Sequence, residues 1–114
     1  MRTILLLWAV MLILVLSACN QSGSGAEPKQ LSAQAQRGEH VFKMQCAVCH
    51  NANSTEPLHG PGMRGLYKRQ ELPSGVSLTD EHVKLTIERG RNMMPPMPLD
   101  QGQVDDVVAY LKTL

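Results

Sequence analysis

The sequence contains few aromatic residues: one Phe, two Tyr and one Trp among 114 residues. The Trp lies at position 8, inside an apolar N-terminal run, so the rest of the chain has to build its core from mostly aliphatic side chains. A chain of this length allows one domain, and a small domain buries little apolar surface. We therefore expect a bound group to complete the core.

Neither sign of charge is in excess. From Cys19 onward, ten Lys and Arg residues face ten Asp and Glu residues, and the chain contains no block of like charge and no internal repeat. Because nucleic acids attract basic surfaces, this balance argues against a nucleic-acid partner. It also predicts weak long-range attraction to any charged partner.

The longest apolar run is too short for a membrane-spanning helix. It extends from Ile4 to Leu16, 13 residues, whereas a helical span needs about 20. Arg2 precedes the run, and the small residues Ser17 and Ala18 follow it. A basic start, an apolar middle and small residues at the end are typical of a secretory signal. We predict that residues 1–18 form a signal peptide.

The sequence LSAC, Leu16 to Cys19, resembles the lipobox of bacterial lipoproteins, in which cleavage precedes the cysteine and lipid is attached to its sulfur. The resemblance implies lipidation of Cys19 and a lipid-anchored, periplasm-facing protein of the bacterial cell envelope. An ordinary signal, or an uncleaved anchor with an incidental cysteine, is the alternative. The odd number of cysteines favours lipidation. Residues 19–30 are polar and rich in Ser and Gly, which predicts a flexible tether before a domain at residues 31–114.

The motif CAVCH places Cys46 and Cys49 three residues apart, with His50 directly after them. This is the attachment pattern of a c-type haem, in which both thiols bond to the porphyrin and the imidazole binds iron. A thioredoxin-like pair, half of a zinc site and a structural disulfide are the alternatives. The first is expected after a strand in a βαβ unit and the second needs another ligand pair, and the sequence shows neither. We predict one covalent haem c.

Residues 31–114 resemble the single-haem class I cytochromes c. The resemblance depends on Gly38 and Phe42 ahead of CAVCH, on HGPGMRG at residues 59–65, and on a Met-Pro pair shortly after Gly90. It implies an all-α fold of about three main helices, with long loops wrapped around one haem. It also implies that Gly38 allows a close crossing of the terminal helices.

The resemblance further assigns roles around the predicted haem. The carbonyl of Pro61 is expected to accept a hydrogen bond from His50, which orients that ligand. Met63 is expected to pack against the porphyrin. Arg64, Tyr67, Lys68 and Arg69 are candidates for the haem propionates, although a solvated loop accounts for them equally well.

Three helices are also predicted from local signals. Ser32 is a suitable N-cap for a helix to about Gln45, with an inner face of Ala35, Gly38, Val41 and Phe42. Thr79 caps a second helix that Gly90 ends. Asp100 caps a third, with Gln103 three residues later and an apolar stripe of Val104, Val107, Val108 and Leu111. Tyr110 is expected near Phe42, and Asp105 and Asp106 on a solvated face.

The segment from Gly90 to Pro98 contains three methionines, whose thioether sulfurs could bind iron. Methionine is a usual sixth ligand of haem iron in cytochromes c. The family pattern places this ligand shortly after the helix-ending glycine and directly before a proline, which predicts Met94. Met97 is the alternative and Met93 a weaker one. His40, His59 and His82 are further candidates, for which surface positions are the simpler interpretation.

The function implied by the resemblance is electron transfer by a membrane-tethered, single-haem cytochrome with His50 and Met94 on the iron. We predict a carrier or a subunit of an oxidoreductase complex, and not an enzyme, because no arrangement of nucleophile and base is present. The predicted partners are redox proteins such as a dehydrogenase, a reductase or an oxidase. The alternative is a haem-reactive enzyme or gas sensor with a labile or absent sixth ligand.

Overall fold

The computed structural model describes residues 30–114. The predicted signal peptide, Cys19 and the tether as far as residue 29 therefore lie outside the described residues. No helix within residues 30–114 is both long and apolar enough to cross a membrane.

Helices and turns make up the regular structure of the described part. They are α1 (Ala33–Val41), which continues directly into a π-helical turn (Phe42–Cys46), a 3-10 turn (Leu66–Lys68), α2 (Asp80–Arg89) and α3 (Gln101–Leu111). Residues 30–114 contain no strand, only two isolated bridges, between Glu71 and Ser77 and between Arg91 and Met94. The predicted all-α fold is confirmed.

The three predicted helix starts are confirmed by their caps. The Ser32 hydroxyl accepts a hydrogen bond from the Ala35 amide, and the Thr79 hydroxyl accepts one from the His82 amide. Asp100 forms a complete capping box with Gln103. The end of the first helix differs from the prediction: regular α-helix stops at Val41, and a wider turn carries the chain through to Cys46.

The crossing of α1 and α3 is the closest contact between helices. A Cβ atom on Gly38 would lie 1.8 Å from the main-chain oxygen of Asp106, so only glycine permits this approach. One turn later, the rings of Phe42 and Tyr110 meet edge to face, with centroids 5.5 Å apart and planes at 61°. The close crossing at Gly38 and the contact of Tyr110 with Phe42 are therefore both confirmed.

The core lies between the three helices and the loops that join them. Val104 and Val107 are the most deeply buried large side chains in the described residues, and Met63 is also buried. Six of the remaining nine members are aliphatic, namely Leu66, Leu72, Val83, Ile87, Val108 and Leu111, and the other three are Phe42, Cys46 and Tyr110. Such a core has few large side chains with which to fill its volume.

Ion pairs connect the helices where the sequence predicted a solvated face. Asp106 binds the Arg37 guanidinium through two hydrogen bonds of 2.8 and 2.9 Å, which joins α3 to α1. Asp105 pairs with Lys84 of α2. Both aspartates keep partial access to solvent, as predicted, but they also pair with basic residues of the neighbouring helices, which was not predicted.

Candidate haem site

The segment from Cys46 to His50 forms a tight turn at the end of the π-helical turn. The amides of Cys49 and His50 both donate to the Cys46 carbonyl, at 3.0 and 2.9 Å. No disulfide joins Cys46 and Cys49; Cys46 is buried and Cys49 half-buried. Before any attachment of a group to its sulfur, burial raises the pKa of the Cys46 thiol to about 11.

The imidazole of His50 is held by a main-chain carbonyl. Its Nδ1 lies 2.9 Å from the oxygen of Pro61. Since a carbonyl oxygen can only accept, Nδ1 carries the proton and donates it. In the neutral ring, this leaves the lone pair of Nε2 free to bind a metal.

Gly60 supports the same ring from one side. A Cβ atom at this position would lie 2.5 Å from Cε1 of His50 and 2.8 Å from Nδ1. The Gly60 amide donates to the Cys49 carbonyl at 2.8 Å, which fixes the loop against the CAVCH turn. The sequence analysis assigned no role to Gly60. The only sign of its contact with His50 was its position directly before Pro61, whose carbonyl was expected to orient that ring.

A short hairpin directly follows α2. Gly90 ends the helix with φ of 69°, and a Cβ there would lie 2.4 Å from the Met94 oxygen. Arg91 and Met94 then exchange two main-chain hydrogen bonds of 2.9 Å each, with Asn92 at φ 52° between them. Sequence reasoning missed Asn92, although asparagine is among the residues that most readily adopt positive φ.

The three methionines of this loop differ in their surroundings. Met93, at the tip of the hairpin, is exposed. Met94 and Met97 are half-buried and pack against the core. The Met97 amide also donates to the Ile87 carbonyl at 2.9 Å, which returns the loop to the end of α2. Two thioethers are therefore directed towards the core, and the third is not.

The remaining polar candidates have other contacts or are exposed. His82 Nδ1 donates to the Ser77 carbonyl at 2.8 Å, and Arg69 donates to the Gly62 carbonyl at 3.4 Å. Tyr67 lies beside Lys112, whose Nζ is 5.5 Å from the ring centroid. Burial, and secondly the charge of Asp80, raise the pKa of Tyr67. The other four are exposed: His40, His59, Arg64 and Lys68.

The donors present match a c-type haem better than a bare metal ion. No three His, Cys, Asp or Glu side chains come together as a metal site anywhere in the described part of the chain. A haem iron would need at most two donor atoms from the protein, such as an imidazole nitrogen and a thioether sulfur, because the porphyrin supplies the other four ligands. The free Nε2 of His50 and the thioethers of Met94 and Met97 are such donors. The thiols of Cys46 and Cys49, on one turn, suit covalent attachment.

The fold and this set of donors define a helical c-type haem protein. Comparison with known families matches residues 35–114 to the cytochrome c family. The chain is also 30% identical over 87 residues to a cytochrome c-553-like protein of Synechocystis sp., an alignment that covers 74% of this chain and 72% of that protein. The chain belongs to the cytochrome c family, and its cofactor is one covalently attached haem c. Membership of this family points to electron transfer.

Proposed function

We propose that this chain is a membrane-tethered electron carrier in which His50 and Met94 bind the haem iron and Cys46 and Cys49 attach the porphyrin. The observation that carries the proposal is the fixed ring of His50. The Pro61 carbonyl accepts a hydrogen bond from Nδ1–H of His50, and Gly60 leaves no room for the ring to turn towards the loop. A ligand held in this way keeps its position when the charge of the iron changes.

The haem supplies reversible one-electron chemistry at its iron. His50 contributes a neutral nitrogen donor whose basicity is raised by the hydrogen bond to Pro61. Met94 contributes a thioether, which raises the reduction potential. With His50 and Met94 both bound to the iron, no position would be left on it for a substrate, which would make the chain a carrier and not an enzyme. The electron passes to and from partner proteins through small, transient contacts.

Three features support Met94 over its neighbours as the sixth ligand. Met93 is exposed, so its sulfur is directed away from the core. Met94 is half-buried and held at both its amide and its carbonyl by Arg91. Met97 is half-buried as well and remains the alternative; the resemblance to the family, which places the ligand shortly after the helix-ending glycine and directly before a proline, favours Met94.

The ligand assignment is tested by separate substitutions of Met94 and Met97 by Ala, with Met93→Ala as the matched control. In the haem-loaded chain, Met94→Ala should abolish the near-red sulfur-to-iron absorption band and lower the reduction potential. The other two variants should keep the band. Loss of the band in Met97→Ala alone would assign the ligand to Met97. A high-spin spectrum of the unsubstituted protein that shifts on adding cyanide would favour a haem-reactive enzyme or sensor.

The proposed location is the periplasmic side of a bacterial membrane, with lipid on Cys19. Residues 19–30 then act as a tether of about 17 to 20 Å that holds the domain clear of the bilayer. We expect Cys19→Ser to move the haem-containing protein from the membrane fraction to the soluble fraction, with an unchanged spectrum. A Cys19→Ser protein that stays in the membrane fraction would contradict lipidation. The proposed partners are a dehydrogenase, a reductase or an oxidase.

A further inference from the structure

The described part of the chain contains five methionines, which differ widely in exposure. Met93 has 88% of its surface accessible and Met44 has 68%. Met94 and Met97 are half-buried, and Met63 is buried, with 8% accessible. The proposed function uses one of these sulfurs as an iron ligand. It gives no role to Met93, the most exposed large apolar side chain of the described residues and the direct neighbour of that ligand.

The hairpin after α2 holds Met93 at its tip. Arg91 and Met94 exchange two main-chain hydrogen bonds of 2.9 Å, so Asn92 and Met93 form the turn between them. The residues from Arg91 to Met93 are all exposed, whereas Met94 packs against the core. Pro95 follows directly and restricts the backbone of Met94. The hairpin therefore keeps one thioether in solvent and turns the next one inwards.

Accessible thioethers react with hydroperoxides to give methionine sulfoxide. The sulfur attacks the outer oxygen of the hydroperoxide, the O–O bond breaks, and an S–O bond forms, while the alcohol leaves with the proton. Sulfur is oxidised by two electrons, and the peroxide is reduced by two. Because the oxidant has to reach the sulfur, the rate follows the exposure of the side chain.

Met93 and Met94 are adjacent in the chain but differ in both conditions for this reaction. The sulfur of Met94 is on a half-buried side chain, and as an iron ligand it would donate to the metal the electrons that attack a peroxide. This second condition rests on the proposed function. Oxidation of Met93 places a polar oxygen where the side chain is already in solvent. At the buried Met63, the same change would disrupt packing in the core.

We propose that Met93 is an oxidation site: hydroperoxides convert its thioether to the sulfoxide, while Met94 remains a thioether on the iron. The segment from Gly90 to Pro98 then takes up oxygen one residue away from the ligand without losing the ligand. Since the hairpin tip is exposed, the modification is also open to methionine sulfoxide reductases, which restore the thioether.

The experiment treats the oxidised, haem-loaded protein with tert-butyl hydroperoxide and follows each methionine by peptide mass spectrometry. We expect Met93 to be oxidised first and Met44 second. When about half of Met93 is converted, Met94 and Met63 should each carry less than about one tenth as much sulfoxide, and the near-red band should persist. In urea, where the fold no longer sets exposure, the rates of all methionines should agree within about twofold.

Met93→Leu keeps an apolar side chain of similar size that cannot take up oxygen, and its early oxygen uptake should fall by about half. Met44→Leu is the matched control, in which Met93 should react within about twofold of its rate in the unsubstituted protein.

Two results would overturn the proposal: oxidation of Met93 that is slower than that of Met44 or Met94 in the folded protein, or loss of the near-red band in step with Met93 oxidation. Failure of the ligand assignment looks different. Sulfoxide that follows on Met94 while Met97 is spared would assign the iron to Met97 and leave Met93 as the oxidation site.

Discussion

The backbone of Asp106 passes so close to Gly38 that a Cβ on the glycine would lie 1.8 Å from the Asp106 oxygen. The side chain of the same aspartate holds Arg37, the neighbour of that glycine, through two hydrogen bonds. Main chain and side chain of one residue thus fix α3 against α1. The crossing brings the rings of Phe42 and Tyr110 together. Phe42 lies four residues before Cys46, the first cysteine of CAVCH.

Gly38→Ala should lower the free energy of unfolding by about 2 kcal/mol, because the added methyl forces the two backbones apart and overpacks the crossing. This loss outweighs the gain of roughly 1 kcal/mol that alanine brings within a helix. Urea unfolding of the haem-loaded protein measures it. Gly102→Ala is the control: it lies in α3, and its added Cβ would come no closer than 3.3 Å to the Asp100 side chain. That variant should be unchanged or slightly more stable; equal losses in both variants would contradict the account.

Gly60→Ala should disturb the haem ligand, whereas Pro61→Ala should not. The methyl that the Gly60→Ala substitution adds would lie 2.5 Å from Cε1 of His50, so the ring has to turn away from the orientation in which we propose that it binds iron. Pro61 acts through its main-chain carbonyl, which alanine retains. Changes in the support of a metal-binding histidine typically cost about 10- to 100-fold in metal binding. The near-red band and the reduction potential measure the effect. A larger change in Pro61→Ala than in Gly60→Ala would contradict the predicted steric role of Gly60.

Local signals were sufficient to predict most of the fold. Ser32, Thr79 and Asp100 were identified as caps because a cap bonds to an amide two or three residues away, a relation visible in the sequence. Gly38 and its close crossing were predicted from the family resemblance. The π-helical turn after Val41 carries no comparable local signal, and the helix was predicted to continue.

Contacts between distant segments could not be predicted from the residues alone. Asp105 and Asp106 lie off the apolar stripe, and nothing in their neighbours indicates that Lys84 and Arg37 come within reach. Their pairing depends on how the helices cross. The same holds for Gly60, whose role depends on a histidine ring ten residues away. Pro61 was predicted only because the family pattern already relates it to His50.

The Arg37–Asp106 pair predicts a dependence of stability on pH. The hydrogen bond and the charge of Arg37 hold the pKa of Asp106 below its ordinary value. A lowered pKa in the folded state stabilises the fold above the unfolded-state value of about 3.9, and this contribution is lost as the pH falls through the folded-state value. Asp106→Asn should therefore reduce stability at pH 7, with the difference from the unsubstituted protein shrinking as the pH falls below about 4.

Urea unfolding at pH 7 and at pH 3 measures this difference. Glu56→Gln is the control, because Glu56 is an exposed loop carboxylate outside the four ion pairs of the described residues. It should leave the pH dependence nearly unchanged. A gap between Asp106→Asn and the unsubstituted protein that stays constant from pH 7 to pH 3 would show that the carboxylate charge is not responsible.

Asn92 is the only described non-glycine residue with positive φ, 52°, and it occupies the first central position of the hairpin that presents Met94. Glycine is favoured there, asparagine is tolerated, and for other residues the left-handed region costs about 1–2 kcal/mol. Asn92→Gly should keep or slightly raise stability, whereas Asn92→Ala should lower it by about 1 kcal/mol and let the near-red band fade at a lower temperature. Met93→Ala, one residue further along and exposed, is the control and should match the unsubstituted protein. If Asn92→Ala and Asn92→Gly lose the band at the same temperature, the hairpin conformation does not hold the sulfur on the iron.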